Sequence, residues 1–315
     1  MKGGILSFAL WGVIFALVPF AVEFLTRKKF PVHTTGAILV TGASTGIGNH
    51  AAIHLATHYP DVTVYAGVRK DVDAENIKAL HLSNLLPLHI DTTDQSSMDA
   101  AVAFLHSTSL PIIGLINNAG VSTNSPIEFL PMAKLRQLLE TNVVGPTYLT
   151  QQLIPSLRAS QGRVVQISSV LGKVTLATRG AYCASKHAFE ALSDVLRLEL
   201  AGPFGVSVSV VEPAYVRTEI FGKIQQEIET LLSPELRSLY GPFFYREDQA
   251  ARKKAQIAKG DSPVVTSTAI EHALFADYPK TRYVVANFAG VRADLCLFIA
   301  WMLPDRLADL LKGMM

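Results

Sequence analysis

From residue 37 to residue 285, short apolar runs alternate with longer stretches whose apolar positions recur at helical spacing. The runs at 37–40, 62–66, 85–90, 111–116, 164–167, 206–211 and 282–285 are compact and rich in Val, Ile and Leu, so they read as buried strands. Residues 49–58, 131–157, 181–200 and 267–276 carry the helical period instead, as with Phe189, Leu192 and Leu196 on one face. Strand and helix in regular alternation predict a doubly wound, mainly parallel α/β sheet with helices on both faces.

The pattern changes at both ends and once in the middle. Residues 3–22 carry no charge, a run of 20 residues, and at about 1.5 Å per residue this makes about 30 Å of helix, enough to span a bilayer. Residues 220–262 turn polar and charged, with Pro234, Pro242 and Arg252-Lys253-Lys254. They read as a lid or substrate loop, with a disordered insert as the alternative. Residues 293–303 are strongly apolar, with Phe298, Trp301 and Met302, but Arg292 and Asp294 leave the run too short to span. It suits a membrane face, a wall of the substrate mouth, or packing against the core or another subunit. The organisation expected is a membrane anchor over 1–26, a junction over 27–35, a catalytic domain over 36–290 and an apolar extension over 291–315.

Composition supports the anchor. Hydrophobic residues make up 49% of the chain and mean hydropathy is +0.29, high for a soluble protein. A cleavable signal peptide is the rival reading, but its apolar region is normally about 7 to 15 residues and no small-x-small cleavage site follows the run. Arg27, Lys28 and Lys29 outweigh Lys2 and the amino terminus, which favours a single span with the catalytic domain facing the cytosol, at the endoplasmic reticulum or another intracellular membrane. The absence of an Asn-x-Ser/Thr sequon agrees. With 28 basic and 26 acidic residues the charge is nearly balanced, so no nucleic-acid partner is implied. Two cysteines, Cys183 and Cys296, exclude a disulfide framework and fit a reducing compartment.

The chemistry concentrates at two places. After the first strand, Thr41-Gly42-Ala43-Ser44-Thr45-Gly46-Ile47-Gly48 leads into a helix. Glycines there let the backbone approach a phosphate and the free helix N–H groups face it. After the fifth strand comes Ser168-Ser169, and thirteen positions beyond Ser169 the sequence Tyr182-Cys183-Ala184-Ser185-Lys186 places a phenol and an ammonium one helical turn apart. A phenol is a poor acid or base at neutral pH, and a nearby ammonium favours its phenolate. The bland alternative is a half-buried Tyr and a solvated Lys.

These motifs, in this order, resemble the short-chain dehydrogenase/reductase family over residues 36–290, with a Rossmann-type fold. The resemblance implies that Ser169 orients the substrate oxygen, Tyr182 exchanges its proton, and Lys186 lowers the Tyr182 pKa and holds the nicotinamide ribose. Asn142, in Thr141-Asn142-Val143-Val144-Gly145, matches the family residue that distorts its helix and completes a proton relay, a satisfied core amide being the alternative. The same resemblance implies cofactor contacts from Gly42, Ser44, Thr45, Gly46, Ile47 and Gly48, from Asp91 at the adenine, from Asn118 in Asn117-Asn118-Ala119-Gly120, and from Val216 and Thr218 at the carboxamide. Asp91 has a rival role as a helix cap. Ala214 stands where the family has a glycine, which bears on the turn before Val216. Val68 replaces the usual ribose-binding acid and Arg69 follows it, which favours NADP(H), with NAD(H) the alternative.

The reaction implied is reversible hydride transfer to or from a secondary alcohol or ketone, with no metal. The motif around Tyr182 and the apolar tail are similar to the branch acting on steroids and retinoids, so a lipophilic substrate is expected, and a homodimer is compatible. A long-chain 3-keto lipid reductase is the alternative within enzymes, and a catalytically silent dinucleotide-binding scaffold the alternative outside them.

Overall fold

A computed structural model describes Val22 and residues 25–219, 233–245, 260–288 and 290–314. Seven strands form one sheet: β1 (Gly36–Val40), β2 (Val62–Val68), β3 (Leu85–His89), β4 (Ile112–Asn117), β5 (Arg163–Ile167), β6 (Ser207–Pro213) and β7 (Arg282–Val285). Their order is β3-β2-β1-β4-β5-β6-β7, and every pairing is parallel. Each strand falls on a predicted apolar run, because a parallel strand covered on both faces has no position left for a polar side chain. β1 and β4 are buried along their whole length. The two edge strands differ: β7 has one buried residue of four, and β3 mixes buried and accessible positions and carries Pro87, which an edge strand tolerates.

The crossovers are α1 (Gly46–His58), α2 (Asp71–Lys78), α3 (Gln95–Ser107), α4 (Met132–Leu139), α5 (Gly145–Ser160) and α6 (Gly180–Phe204), followed by α7 (Pro234–Phe244) and α8 (Val264–Phe275). Leu55 of α1 and Ile270 and Ala273 of α8 pack on one sheet face with Ile38 and Val64. Met98 and Leu105 of α3 and Leu149, Leu153 and Leu157 of α5 cover the other with Leu39 and Leu115. The switch in strand order lies between β1 and β4, so a crevice opens at their carboxyl ends.

The expected membrane run lies outside the described residues except for Val22. Among the described residues no helix is long and apolar enough to cross a membrane. The junction that follows is docked on the domain. Phe30 is buried, and its N–H donates to Asp277 O at 2.9 Å. Arg163, buried at the start of β5, donates to Phe30 O and Pro31 O at 3.3 and 2.7 Å. Lys29 lies 3.7 Å from Asp277, Lys28 donates to Ala201 O, and Arg27 covers the Tyr278 ring at 4.3 Å.

The segment expected as a lid holds α7 within its described part, seated by Tyr240, whose hydroxyl donates to Glu128 at 2.8 Å. The apolar tail forms two helices, α9 (Ala293–Met302) and α10 (Asp305–Met314), after a short hairpin of β8 (Asn287–Phe288) and β9 (Val291–Arg292). Ala293, Cys296 and Leu297 of α9 pack on Val170 and Phe288, while Phe298, Trp301 and Met302 are exposed.

Beneath the carboxyl ends of β6 and β7, Arg282 pairs with Glu190, Asp194 and Glu212, and Lys173 lies 3.1 Å from Glu190. Burial and the neighbouring Glu190 push the Glu212 carboxyl up to about 7. This cluster ties α6 to two strands. Arg282→Met strands two buried carboxylates and is expected to cost about 3 kcal/mol at neutral pH in urea denaturation. The deficit should shrink as pH falls toward about 5, because the Glu212 carboxyl, whose folded pKa lies above its unfolded one, then takes up a proton.

Candidate active site

β1 ends in the glycine turn. Gly42 and Gly46 adopt φ of +64° and +62°, a region that a Cβ disfavours. Gly48 is held by proximity instead: a Cβ there would meet Asn118 Nδ2 at 2.2 Å and Gly42 O at 2.5 Å. Thr41 Oγ1 accepts the N–H groups of Asn118 and Ala119, both at 3.0 Å, and Asn118 Nδ2 donates to Thr41 O and Gly42 O at 2.9 and 3.1 Å. Asn118 thus braces the turn with its side chain.

The helix that starts at this turn lacks a cap. Thr45 makes no side-chain bond to it, and its first turn holds no acid. By contrast, α3 is capped by Asp94, which accepts from Ser96 N at 3.0 Å. The free N–H groups and positive end of α1 therefore remain available to an anion, a fit for the phosphates of a dinucleotide. Ser44, Thr45, Gly46 and Ile47 are partly accessible along this turn. Thr218 stands across from it, its Cβ 3.3 Å from where a Gly46 Cβ would lie. Val216 is buried and bridges to Asp261, so its side chain belongs to the core. Ala214 has no positive φ and donates to Val285 O at 2.9 Å, so the turn forms without the glycine.

At the ends of β2 and β3, Arg69 Nη1 and Asp91 Oδ2 are 3.9 Å apart at the surface. Asp91 Oδ1 accepts from the N–H and hydroxyl of Thr93 at 2.9 and 2.8 Å. That is a local turn. The helix cap is Asp94, so the capping alternative for Asp91 does not hold.

Residues 131–157, expected as one helix, contain a π turn at Glu140–Val144. Pro146 has no N–H to return to the carbonyl of Asn142 four residues earlier, which breaks the α ladder there. The Asn142 side chain is fully engaged. Its Oδ1 accepts from Val121 N at 2.8 Å, and its Nδ2 donates to Val121 O at 2.8 Å and Ser185 Oγ at 2.9 Å. Ser185 was not anticipated; it couples the π turn to α6.

Ser169 ends the β5 excursion and caps a 3-10 turn by accepting from Leu171 N at 3.1 Å. Tyr182 is partly accessible at the start of α6. Burial raises the Tyr182 pKa, while the nearby Ser169 hydroxyl and the positive charge of Arg179 pull it back. Lys186, 5% exposed, donates to Ile167 O at 2.9 Å, and its Nζ lies 5.9 Å from the Tyr182 ring centroid. Lys186 thus stands beside the phenol as expected, and Arg179 adds a second positive charge that acts on it. Sequence reasoning missed Arg179, although its position three residues before Tyr182 puts it on the same helix face.

The short chain dehydrogenase family profile matches residues 36–229. The chain is 38% identical to an NADPH-dependent 3-dehydrocapnine reductase of Ornithobacterium rhinotracheale, over 86% of this chain and 94% of that protein. It is 33% identical to retinol dehydrogenase 5 of Mus musculus, over 92% of each. A solved short-chain dehydrogenase from Streptomyces avermitilis superposes with a TM-score of 0.66 at 30% identity, covering 80% of this chain and 89% of that one.

Burial lowers the Lys186 pKa from 10.5 to about 8. Between those values the unfolded chain binds more protons, so this group's contribution to stability rises with pH through that window. The stability of the wild type relative to Lys186→Met, measured by urea denaturation from about pH 7.5 to about pH 10, should therefore increase with pH. A difference that stays flat would show that Lys186 keeps its ordinary affinity for a proton.

Proposed function

Because the chain belongs to the short-chain dehydrogenase family of NAD(P)-dependent oxidoreductases acting on CH–OH donors, we propose that it interconverts a secondary alcohol and a ketone on a lipophilic, retinoid- or steroid-like substrate. The observation that carries this reading is the partly accessible Tyr182, with Lys186 Nζ 5.9 Å from its ring centroid, at the same strand ends as an uncapped glycine turn.

A bound nicotinamide supplies or accepts the hydride. The Tyr182 hydroxyl gives its proton to the carbonyl oxygen in reduction and takes the alcohol proton in oxidation. Ser169 donates a hydrogen bond to that oxygen and fixes it beside the phenol. Lys186, held by Ile167 O, keeps a positive charge behind the ring. Asn142, through Ser185, holds the first turns of α6 in register with the loop at Val121. The turn from Gly42 to Gly48, with Ser44, Thr45 and Ile47, holds the pyrophosphate, Thr218 lies opposite it, and Asn118 keeps its shape.

NADP(H) is the favoured cofactor. Arg69 presents an exposed cation at the end of β2 where Val68 supplies no acid, and a relative is named as NADPH-dependent. That same relative, named for reducing 3-dehydrocapnine, favours a second reading in which the substrate is a 3-keto lipid and reduction is the working direction. A membrane anchor over residues 1–26, at an intracellular membrane with the domain on the cytosolic side, suits a lipid substrate. Exposed Leu239, Phe243 and Phe244 of α7 and Phe298 and Trp301 of α9 give the domain an apolar rim.

Tyr182→Phe is expected to lower turnover of lipophilic ketones by about 1,000-fold while NADPH binding is kept. Wild-type turnover by that variant would sink the proton-transfer role. Arg69→Ala should reduce the preference for NADPH over NADH by about 10-fold in paired Kd measurements.

A further inference from the structure

Four guanidinium groups, those of Arg163, Arg179, Arg197 and Arg282, are buried or half-buried in the described residues, and they are satisfied unequally; Arg197 lies 3.4 Å from Asp194. Arg282 faces three carboxylates. Arg163 donates to three main-chain carbonyls. Arg179, 8% exposed, has only Nη1 engaged, at 3.3 Å from Ser122 Oγ and 3.2 Å from Thr123 O. No hydrogen bond from its Nε or Nη2 to a described residue is formed, neither atom is sealed from solvent as Arg163 Nε is, and no described carboxylate pairs with it. Glu128, on the 3-10 turn that follows this loop, is already hydrogen-bonded by Tyr240 at 2.8 Å.

Its surroundings add to the unmet charge. Arg179 occupies the N-cap position of α6, and the first turn of that helix contains no acid, so the helix dipole adds to the guanidinium charge. The phenols of Tyr182, Tyr215 and Tyr245 lie close enough to feel it. A buried cation without a counter-charge is costly, and the structure keeps one beside the phenol expected to touch substrate. Holding the loop at Ser122 and Thr123 needs no charge, since any neutral donor would serve.

We propose that Arg179 receives an oxyanion carried by the substrate, a carboxylate or a sulfonate, so that the lipophilic alcohol or ketone this protein works on is an acid. The inference rests on the oxidoreductase reading and specifies its substrate class. A planar guanidinium with two free donors matches such an oxyanion in a two-point bond. The anion then fixes the distance from the acid group to the reacting carbon, because Tyr182 lies one turn further along the same helix.

The test compares 3-oxo carboxylic acids of graded chain length with their methyl esters, using full-length protein and NADPH. Binding is followed by the rise in melting temperature of the NADPH-loaded chain, and turnover by NADPH consumption. At the best chain length the wild type should prefer acid over ester by about 100-fold in kcat/KM, mostly in KM. Arg179→Met should bring that ratio close to one, and Arg179→Lys should restore part of it. Acids that neither bind nor react better than their esters at any chain length would overturn the inference, with no variant needed. So would a ratio unchanged in Arg179→Met. Failure of the underlying reading looks different: Tyr182→Phe would then reduce the esters as fast as the wild type. Turnover of retinoid or steroid ketones with no preference for acids would leave the oxidoreductase standing and remove the anion.

Discussion

Lys186 is an almost fully buried ammonium whose hydrogen-bond acceptor is a main-chain carbonyl, Ile167 O at 2.9 Å. Burial pulls its pKa down to about 8, and the same burial pushes the Tyr182 phenol up. Desolvation thus pushes both groups toward their neutral forms, against an ammonium–phenolate pair, although a Lys186 pKa of about 8 keeps the ammonium mostly charged at neutral pH. What offsets it is a set of fixed dipoles and charges: the Ser169 hydroxyl and Arg179 at the phenol, Ile167 O and the charge of Glu190 at the ammonium. These four groups come from three elements, so the titration of two side chains depends on the packing of β5, the 3-10 turn after it, and α6. The carboxylate cluster around Arg282 holds that packing in place through Glu190, which lies on α6 one turn beyond Lys186.

The strands were legible because a parallel sheet covered on both faces leaves no alternation to misread, and the glycine turn was legible because its geometry requires glycine at 42 and 46. Apolar spacing over 131–157 runs smoothly through the π turn and by itself gives one continuous helix; the signs of the break were Asn142, which the family resemblance marks as a point of helix distortion, and Pro146 four residues after it. Ser185 and Arg179 escaped for a different reason. Whether a serine accepts from Asn142, or an arginine lacks a carboxylate, is decided by chain segments tens of residues away, and no window of sequence contains both partners. Ala214 shows the converse: a substitution that put a turn in doubt is accommodated because the backbone there never enters the left-handed region.

The two edges of the sheet divide the work between holding the chain in place and meeting substrate. Phe30, Lys28 and Lys29 dock against the start of β5, the end of α6 and the turn before β7, all at the amino-terminal edge of the strands. Whatever precedes the junction begins from that edge. The glycine turn, Ser169 and the first turn of α6 lie at the carboxyl-terminal edge, where α7 and α9 also emerge. The exposed Phe243, Phe244, Phe298 and Trp301 belong to these two helices and not to the junction, which suits the lipophilic substrate proposed. The basic cluster that composition assigns to membrane topology is also committed to protein contacts, so its charges have two functions to satisfy at once. On the proposed reading, selection would use two criteria together: a hydrocarbon body to cover the exposed aromatic side chains and a negative charge to reach Arg179.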